Sequence, residues 1–120
     1  MQGIVIAAHG SRSQDVDVTM QFIMQRVRAQ VTEIPVELGY LGMGTPTIEE
    51  ALEQLRMQGV HTITIIPYFL FQGMHVKETI PEIAVKFQQE HPELQVHVGK
   101  ALGEDERLAA VLAQRIFEVL

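Results

Sequence analysis

Four short apolar runs alternate with four stretches of helical apolar spacing in this chain, and this alternation constrains its fold more than any other feature. The runs are rich in Val and Ile, which is typical of strands that a parallel sheet buries on both faces. In the stretches that follow them, apolar residues recur every three or four positions, as on one face of an amphipathic helix. The predicted strands cover residues 3–8, 36–41, 61–67 and 94–98.

The resulting order of elements, βαβαβαβα, predicts a small doubly wound α/β fold. Parallel strands joined by helices need right-handed crossovers, and such crossovers place helices on both faces of the sheet. The simplest doubly wound order for four strands is 2-1-3-4, in which the winding reverses between the first and third strands and opens a crevice at their carboxyl ends. With 120 residues, 47% of them hydrophobic, the chain is predicted to form a single domain over residues 1–120.

Small polar residues predict where the helices begin, because their side chains can accept hydrogen bonds from the unpaired amides of a first helical turn. Proline is also favoured at the first helical position. The expected caps are Ser11 or Ser13 for the first helix, Thr45 before Pro46 for the second, and Thr79 with Glu82 as a capping box for the third.

Two histidines, His9 and His75, follow predicted strands that border the crevice. They are far apart in the sequence, yet the 2-1-3-4 order brings both to the same edge of the sheet. Imidazole is the side chain best suited to transfer protons and bind a transition metal near neutral pH. We therefore predict that His9 and His75 are the catalytic and metal-binding pair, whereas His61, His91 and His97 are expected to be structural or solvated.

Two imidazole nitrogens with few acids nearby indicate the kind of metal that the crevice would hold. Such ligands suit a borderline divalent ion such as Co²⁺, Ni²⁺ or Fe²⁺ better than Mg²⁺ or Ca²⁺. Two ligands alone make a weak and open site, so the ion would be held briefly or its coordination completed by a ligand or a second subunit.

The residues around the two histidines are candidates for substrate binding. Gly10 and Gly73 allow close approach of the backbone to a ligand, although each is equally compatible with an ordinary turn. Ser11 and Arg12, at the start of the first predicted helix, offer a hydroxyl, a cation and free amides to an anion. Lys77 is placed similarly after His75; for both cations the alternative is simple surface charge.

Four bulky residues, Tyr68 to Phe71, stand just beyond the third predicted strand. Four consecutive large side chains cannot all face the same core. We expect some to pack inside and others, Phe71 among them, to contact a flat ligand or a dimer partner.

Composition excludes several classes of function. The formal net charge of −6 argues against nonspecific nucleic-acid binding, which depends on Lys and Arg neutralising phosphates. No run approaches the roughly 20 apolar residues of a membrane span, and no signal peptide is recognised, so a cytoplasmic protein is expected. The absence of cysteine excludes disulfides, thiolate metal sites and cysteine nucleophiles.

Several motifs along the chain resemble those of one family. They are His9-Gly-Ser-Arg12, Pro46, the segment from Pro67 to Val76, Ile80-Pro81 and Leu102-Gly103. Together they resemble the class II chelatases, the sirohydrochlorin cobaltochelatases and ferrochelatases of cobalamin and sirohaem synthesis. The resemblance covers nearly the whole chain. The length of the chain is similar to that of the short form of the family.

The resemblance implies insertion of a divalent metal into sirohydrochlorin or a related metal-free tetrapyrrole. His9 and His75 would bind the incoming ion and help to remove the pyrrole protons, with the metal as a substrate and no tightly bound cofactor. The short form works as a homodimer, so a homodimer is implied here. Two positions depart from the family: Gly42 stands where glutamate is common, and Thr79 where aspartate is common.

Two other functions remain open at this point. Mannose-type phosphotransferase domains also place His-Gly after the first strand of a small doubly wound domain, and His9 would then carry a phosphoryl group. The second is a non-catalytic protein that binds a tetrapyrrole or a metal. This alternative stays open because Gly42 replaces the glutamate that is common in the family. A histidine phosphatase is disfavoured, because its chemistry needs arginine directly before the His-Gly pair and Ala8 stands there.

Overall fold

The computed structural model describes residues 1–120 and contains one four-stranded parallel sheet in the order β2-β1-β3-β4. This confirms the predicted fold class and strand order. The strands are β1 (Gln2–His9), β2 (Val36–Leu41), β3 (Thr62–Pro67) and β4 (Gln95–Val98). The α-helices are α1 (Gln14–Gln30), α2 (Ile48–Met57), α3 (Ile80–Glu90) and α4 (Glu106–Glu118).

The sheet is covered unequally on its two faces. On one face α2 and α3 pack over all four strands and bury a cluster of 13 apolar residues, among them Leu52, Ile63 and Ile65. On the other face α1 packs over β1 and β2 and buries a cluster of seven, which includes Met24 and Leu38. The sheet is therefore closed on the side of α2 and α3 but covered over only half its width on the side of α1.

The uncovered half of that second face is formed by β3 and β4. Alternate residues of these strands point to the side of α1, and in the parallel register Thr64 lies beside His97. None of them is buried. We call this surface the open face; its residues are Thr62, Thr64, Ile66, Tyr68, Gln95 and His97.

The last helix stands away from the rest of the molecule. No residue of α4 is buried, although its apolar residues recur at helical spacing. Leu112 is 65% exposed and Ile116 is 51% exposed. The molecule is accordingly elongated, with principal extents of 54 × 31 × 28 Å.

The predicted start of the second helix was wrong by two residues. Thr47, not Thr45, caps α2: its hydroxyl accepts a hydrogen bond from the Glu50 amide at 3.1 Å, and its own amide donates to the Glu50 carboxylate at 2.9 Å. Pro46 lies before the helix, where its carbonyl accepts a hydrogen bond from the Tyr40 amide at 2.8 Å. The reciprocal capping box satisfies two amides at once, which a cap at Thr45 would not do.

The predicted capping box at Thr79 is also absent. A π-helical turn, His75–Thr79, runs directly into α3, so Thr79 has helical dihedral angles and its side chain caps nothing. The helix begins earlier than the sequence pattern indicates. For the first helix, the structure selects Ser13 over Ser11 as the cap.

None of the helices combines the length and the hydropathy that a membrane span requires.

Candidate functional site

His9 and His75 face each other at the carboxyl edge of the sheet. Their ring centroids are 5.6 Å apart and the ring planes are inclined by 41°. At metal–imidazole bond lengths of roughly 2.0–2.1 Å, this separation is small enough for one ion to contact a nitrogen of each ring. The structure thus brings together the two histidines that the topology places at one crevice.

His9 is held by a tightly packed turn. It is the last residue of β1 and pairs in register with Leu41 of β2. Its Nδ1 lies 2.9 Å from the carbonyl oxygen of Gly10. A carbonyl oxygen only accepts, so Nδ1 carries the proton and Nε2 is left as the basic nitrogen with a free lone pair.

Gly10 explains why this turn is rigid. Its amide donates to the Leu41 carbonyl at 2.8 Å, and the residue is buried. A Cβ at this position would lie 1.4 Å from the carbonyl oxygen of Met43, so only glycine allows the two loops to pack. The glycine thus serves the contact between the loops that follow β1 and β2, and its contact with a substrate stays a prediction.

His75 is held differently, on the first residue of the π-helical turn. Its Nδ1 lies 3.2 Å from the Thr79 hydroxyl oxygen, four residues further along the same turn. The Gly73 carbonyl begins the turn by accepting hydrogen bonds from the amides of Val76 and Lys77. Isolated π-helical turns occur often at functional sites. Here the turn places a hydroxyl beside Nδ1, which leaves Nε2 of His75 free for the ion.

The apolar segment after β3 divides between the core and the surface, as predicted. Tyr68 packs against the cluster under α1, and Phe69 packs against the cluster under α2 and α3. The Phe69 ring centroid lies 6.3 Å from that of His75. Leu70 is 53% exposed and Phe71 is 80% exposed, so both are available to a ligand at the rim of the site.

The predicted substrate-binding residues do not all lie together. Ser11 and Arg12 line a small cleft of about 190 Å³ between the start of α1 and the 43–45 loop. Phe71 lines a larger cleft of about 710 Å³, together with Leu70 and Gly103. Lys77 lies instead in a shallow groove on the outer surface of α3.

The larger cleft contains a cation that the sequence analysis missed, Lys100, beside Phe71, Gln72 and Glu104. Lys100 lies just beyond β4, much as His9 ends β1 and His75 follows β3. Applying the strand-end rule to the fourth strand would have found it. Thr79, considered from the sequence only as a helix cap and a missing aspartate, is the second residue that was overlooked.

Gly42 lies in the loop that packs against Gly10. Its φ is +83°, a left-handed conformation that favours glycine, and a Cβ added there would meet no atom within 4 Å. The space that a longer side chain would need is therefore present beside the turn that carries His9. No group of three or more His, Asp or Glu residues able to hold a metal is formed anywhere in the chain.

The buried Tyr40 supports the same side of the site. Its hydroxyl donates to the Asp17 carboxylate at 2.7 Å, tying β2 to α1. Burial, together with the hydrogen bond and the negative charge of Asp17, holds the pKa of the Tyr40 phenol well above its usual range. The phenol therefore stays neutral and continues to donate its hydrogen bond to Asp17.

The model of the CbiX family matches residues 3–119 of the chain. The sirohydrochlorin cobaltochelatase of Sulfurisphaera tokodaii is 31% identical over 121 residues, a match that covers 100% of this chain and 95% of that protein. The sirohydrochlorin ferrochelatase of Priestia megaterium is 33% identical over 120 residues, covering 98% of this chain and 44% of the relative. The chain thus spans about half the length of this bacterial relative.

A solved structure shows the same fold. The sirohydrochlorin chelatase SirB from Bacillus subtilis subspecies spizizenii, in complex with cobalt, superposes with a TM-score of 0.92 at 27% identity. The superposition covers 98% of this chain and 50% of the SirB chain. A second SirB structure from Bacillus subtilis, with Fe³⁺, has a TM-score of 0.90.

Proposed function

Because the chain belongs to the CbiX family, we propose that it inserts a divalent metal ion into sirohydrochlorin or a related metal-free tetrapyrrole. The observation that carries the proposal is the pair of facing imidazoles, 5.6 Å apart at the carboxyl edge of the sheet. Co²⁺ and Fe²⁺ are the favoured metals, with Ni²⁺ as a third, because relatives are named for cobalt or iron. The metal is a substrate, and no resident cofactor is part of the proposal.

Metal insertion exchanges two pyrrole N–H protons for one dication. It therefore needs a base near the ring centre and a metal that is held weakly enough to be released. Nε2 of His9 and Nε2 of His75 meet both needs: they can bind the ion between them and, once it has moved to the ring, accept the two protons.

The carboxylates of the tetrapyrrole would be held at the rim of the site. We assign this role to Arg12 and the hydroxyl of Ser11 in the smaller cleft, and to Lys100 in the larger one. Phe71 would contact the macrocycle, and Gly10 and Gly73 shape the two turns beneath it. Lys77 stays a candidate only for a carboxylate that reaches over the start of α3.

We also propose that the working form is a homodimer. The chain covers 50% of the SirB chain, so a second copy would supply the half that a longer relative carries in the same polypeptide. The exposed apolar residues of α4 and of the 70–74 segment support an association of this kind. The cytoplasmic location predicted from the sequence belongs to the same proposal.

The test is an anaerobic insertion assay with sirohydrochlorin and Co²⁺, Fe²⁺ or Ni²⁺, followed by absorbance. We expect kcat/KM to fall about 100-fold or more in His75→Ala, as is typical of a general acid–base residue, and about ten-fold in His9→Ala. His61→Ala is the matched control, since this exposed residue precedes β3 at the opposite edge of the sheet. Unchanged rates in both site variants would refute the roles, and phosphorylation of His9 by a phosphotransfer partner would favour the carrier function.

A further inference from the structure

The methionines of this chain differ widely in their access to solvent. Met20 and Met24 are buried in the cluster under α1. Met57, at the end of α2, is 73% exposed, and Met74, in the segment after β3, is 69% exposed. In a chain without cysteine, the thioether is the side chain that peroxides oxidise most readily. Where an oxidant is formed therefore decides which exposed methionine it meets.

Met74 directly precedes His75, one of the two facing histidines. The segment from Leu70 to His75 is exposed, and Met74 belongs to neither apolar cluster of the core. An unbranched thioether side chain without a place in the core is free to sample the space around the neighbouring imidazole. The ring centroids of His75 and His9 are 5.6 Å apart, so an ion held between them lies beside this segment.

Met57 is equally exposed but far from the histidine pair. It is the last residue of α2, and the chain continues from it to the first residue of β3, Thr62. The amino ends of the parallel strands form one edge of the sheet, and His9 and His75 lie at the opposite edge. The two methionines thus differ in their distance from the proposed metal site and hardly at all in their exposure to solvent.

We propose that Met74 is an oxidation site, to which an Fe²⁺ ion held by His9 and His75 directs hydrogen peroxide. The inference rests on one part of the proposed function, the binding of the ion by this pair. Access needs no further feature, because an opening that admits a hydrated metal ion also admits the smaller peroxide molecule. Met57 lacks a metal-binding pair beside it and is oxidised only at the rate of a free thioether.

The reaction converts the thioether of Met74 to a sulfoxide. The O–O bond of hydrogen peroxide breaks, one oxygen forms a bond to the sulfur, and the other leaves as water with both protons. The sulfur loses two electrons and the peroxide gains two, while the iron ends the cycle as Fe²⁺. The product side chain is polar and chiral, and methionine sulfoxide reductases reverse the change.

Oxidation at this position alters the rim of the site. Leu70, Phe71 and Met74 are the exposed apolar residues of the segment that carries His75. A sulfoxide oxygen adds a polar group where an apolar contact with the macrocycle is needed. A chain that holds iron in the presence of peroxide, with no tetrapyrrole to receive the metal, would therefore lower its own activity reversibly.

The primary measurement is the sulfoxide content of each methionine, found by peptide mass spectrometry. The whole chain is loaded with one equivalent of Fe²⁺ without oxygen and then treated briefly with hydrogen peroxide. We expect about five-fold more sulfoxide at Met74 than at Met57. Zn²⁺ binds the same kind of ligand but has no redox chemistry, so it should leave the two equally oxidised. Equal oxidation of Met74 and Met57 with Fe²⁺ would overturn the proposal.

Removal of one histidine separates oxidation directed by the metal from an intrinsically reactive Met74. His9→Ala deletes a ligand on a different loop and leaves the residues around Met74 unchanged. Its Met74-to-Met57 sulfoxide ratio with Fe²⁺ should fall to the value found with Zn²⁺. His97→Ala is the matched control, because His97 is exposed on β4 and outside the pair. A ratio that stays high in His9→Ala means that the pair does not direct the oxidation, and the proposal fails.

The effect on activity is measured with Met74→Leu, which keeps an apolar side chain of similar size but has no sulfur. After treatment with Fe²⁺ and peroxide the iron is removed, and Co²⁺ insertion is compared with that of the same chain before treatment. The wild-type chain should lose several-fold and recover with methionine sulfoxide reductases, whereas the leucine variant should keep most of its own activity. Equal losses in the two chains would contradict the role of Met74. If the untreated wild-type chain inserts no metal, the proposed function fails, while the sulfoxide ratio still decides the oxidation site.

Discussion

The two histidines of the site stand on loops of opposite character. The turn that carries His9 is packed so closely that the Gly10 backbone touches the loop after β2. The segment that leads to His75 is exposed from Leu70 to His75, and a Cβ at Gly73 would meet no atom within 4 Å. One nitrogen of the pair is therefore fixed by the sheet, whereas the other stands on a turn that has room to adjust.

The difference indicates how such a pair can first hold and then release an ion. A fixed ligand loses little conformational freedom when the metal binds, which favours capture. A ligand on an exposed loop can withdraw without disturbing the core, which favours transfer to the tetrapyrrole. The predictions below test whether the fixed and adjustable sides behave differently.

Gly10→Ala should have the largest effect, because its methyl group would lie 1.4 Å from the Met43 carbonyl oxygen and the backbone must move. We expect a loss of about 3 kcal/mol in the free energy of unfolding, as for severe overpacking. The insertion rate should fall about ten-fold, as in His9→Ala, because His9 is displaced. Urea unfolding and steady-state kinetics measure the two effects. Gly73→Ala on the other loop is the control and should change both little; equal effects at the two glycines would remove the distinction.

Thr79→Ala should have the next largest effect, on the adjustable side. Loss of the hydroxyl beside Nδ1 of His75 leaves the ring free to rotate, and the KM for the metal should rise about ten-fold. Thr79→Ser keeps the hydroxyl and should retain most of the activity, which separates the hydrogen bond from packing. If alanine and serine behave alike, the hydroxyl does not orient the ring.

Gly42→Glu tests the fixed side with an added ligand. The positive φ at this position should cost about 1–2 kcal/mol of stability in any side-chain variant. Gly42→Ala has the same strain without the carboxylate and is the matched control. We expect the glutamate variant to lower the KM for the metal a few-fold relative to alanine. No difference between the two would show that a carboxylate at position 42 does not reach the ion.

Tyr40→Phe should have the smallest effect, about 1 kcal/mol of stability at neutral pH from loss of the bond to Asp17. The pKa of the phenol is raised by folding, so the wild-type chain loses stability as the pH rises above about 10, the value for an unfolded tyrosine. The phenylalanine variant lacks this loss. The free energies of unfolding of the two chains, measured with denaturant at pH 7 and pH 10.5, should therefore be closer at the higher pH. A difference in stability that grows with pH would contradict the assignment.

The fold and the histidine pair could be predicted because they follow from long-range rules with strong signals. Buried strands such as β3 are marked by Val and Ile, and the order of strands fixes which ends meet. Local boundaries were harder. Thr45 and Thr47 both suit a helix cap. The choice depends on the Glu50 carboxylate and on the Pro46 carbonyl, whose partner Tyr40 lies on β2.

Two features of the site could not be derived from pattern alone. The π-helical turn differs from an α-helix by one residue in its hydrogen bonding, and apolar spacing does not resolve that difference over five residues. The apolar stripe of α4 predicts a buried helix face but not which molecule covers it. In both cases the decisive information lies in contacts that the local sequence does not contain.

The π-helical turn also makes the site sensitive to the number of residues rather than to their identity. Each residue of an α-helix advances the side-chain direction by about 100°. Deleting one residue between His75 and Thr79 would let the turn close as an ordinary α-helix in phase with α3. His75 would then rotate by roughly that angle away from His9 while every remaining side chain stayed the same. The facing arrangement of the two imidazoles is thus encoded partly as a count of residues, and we expect a chain one residue shorter to keep its fold and lose the pair.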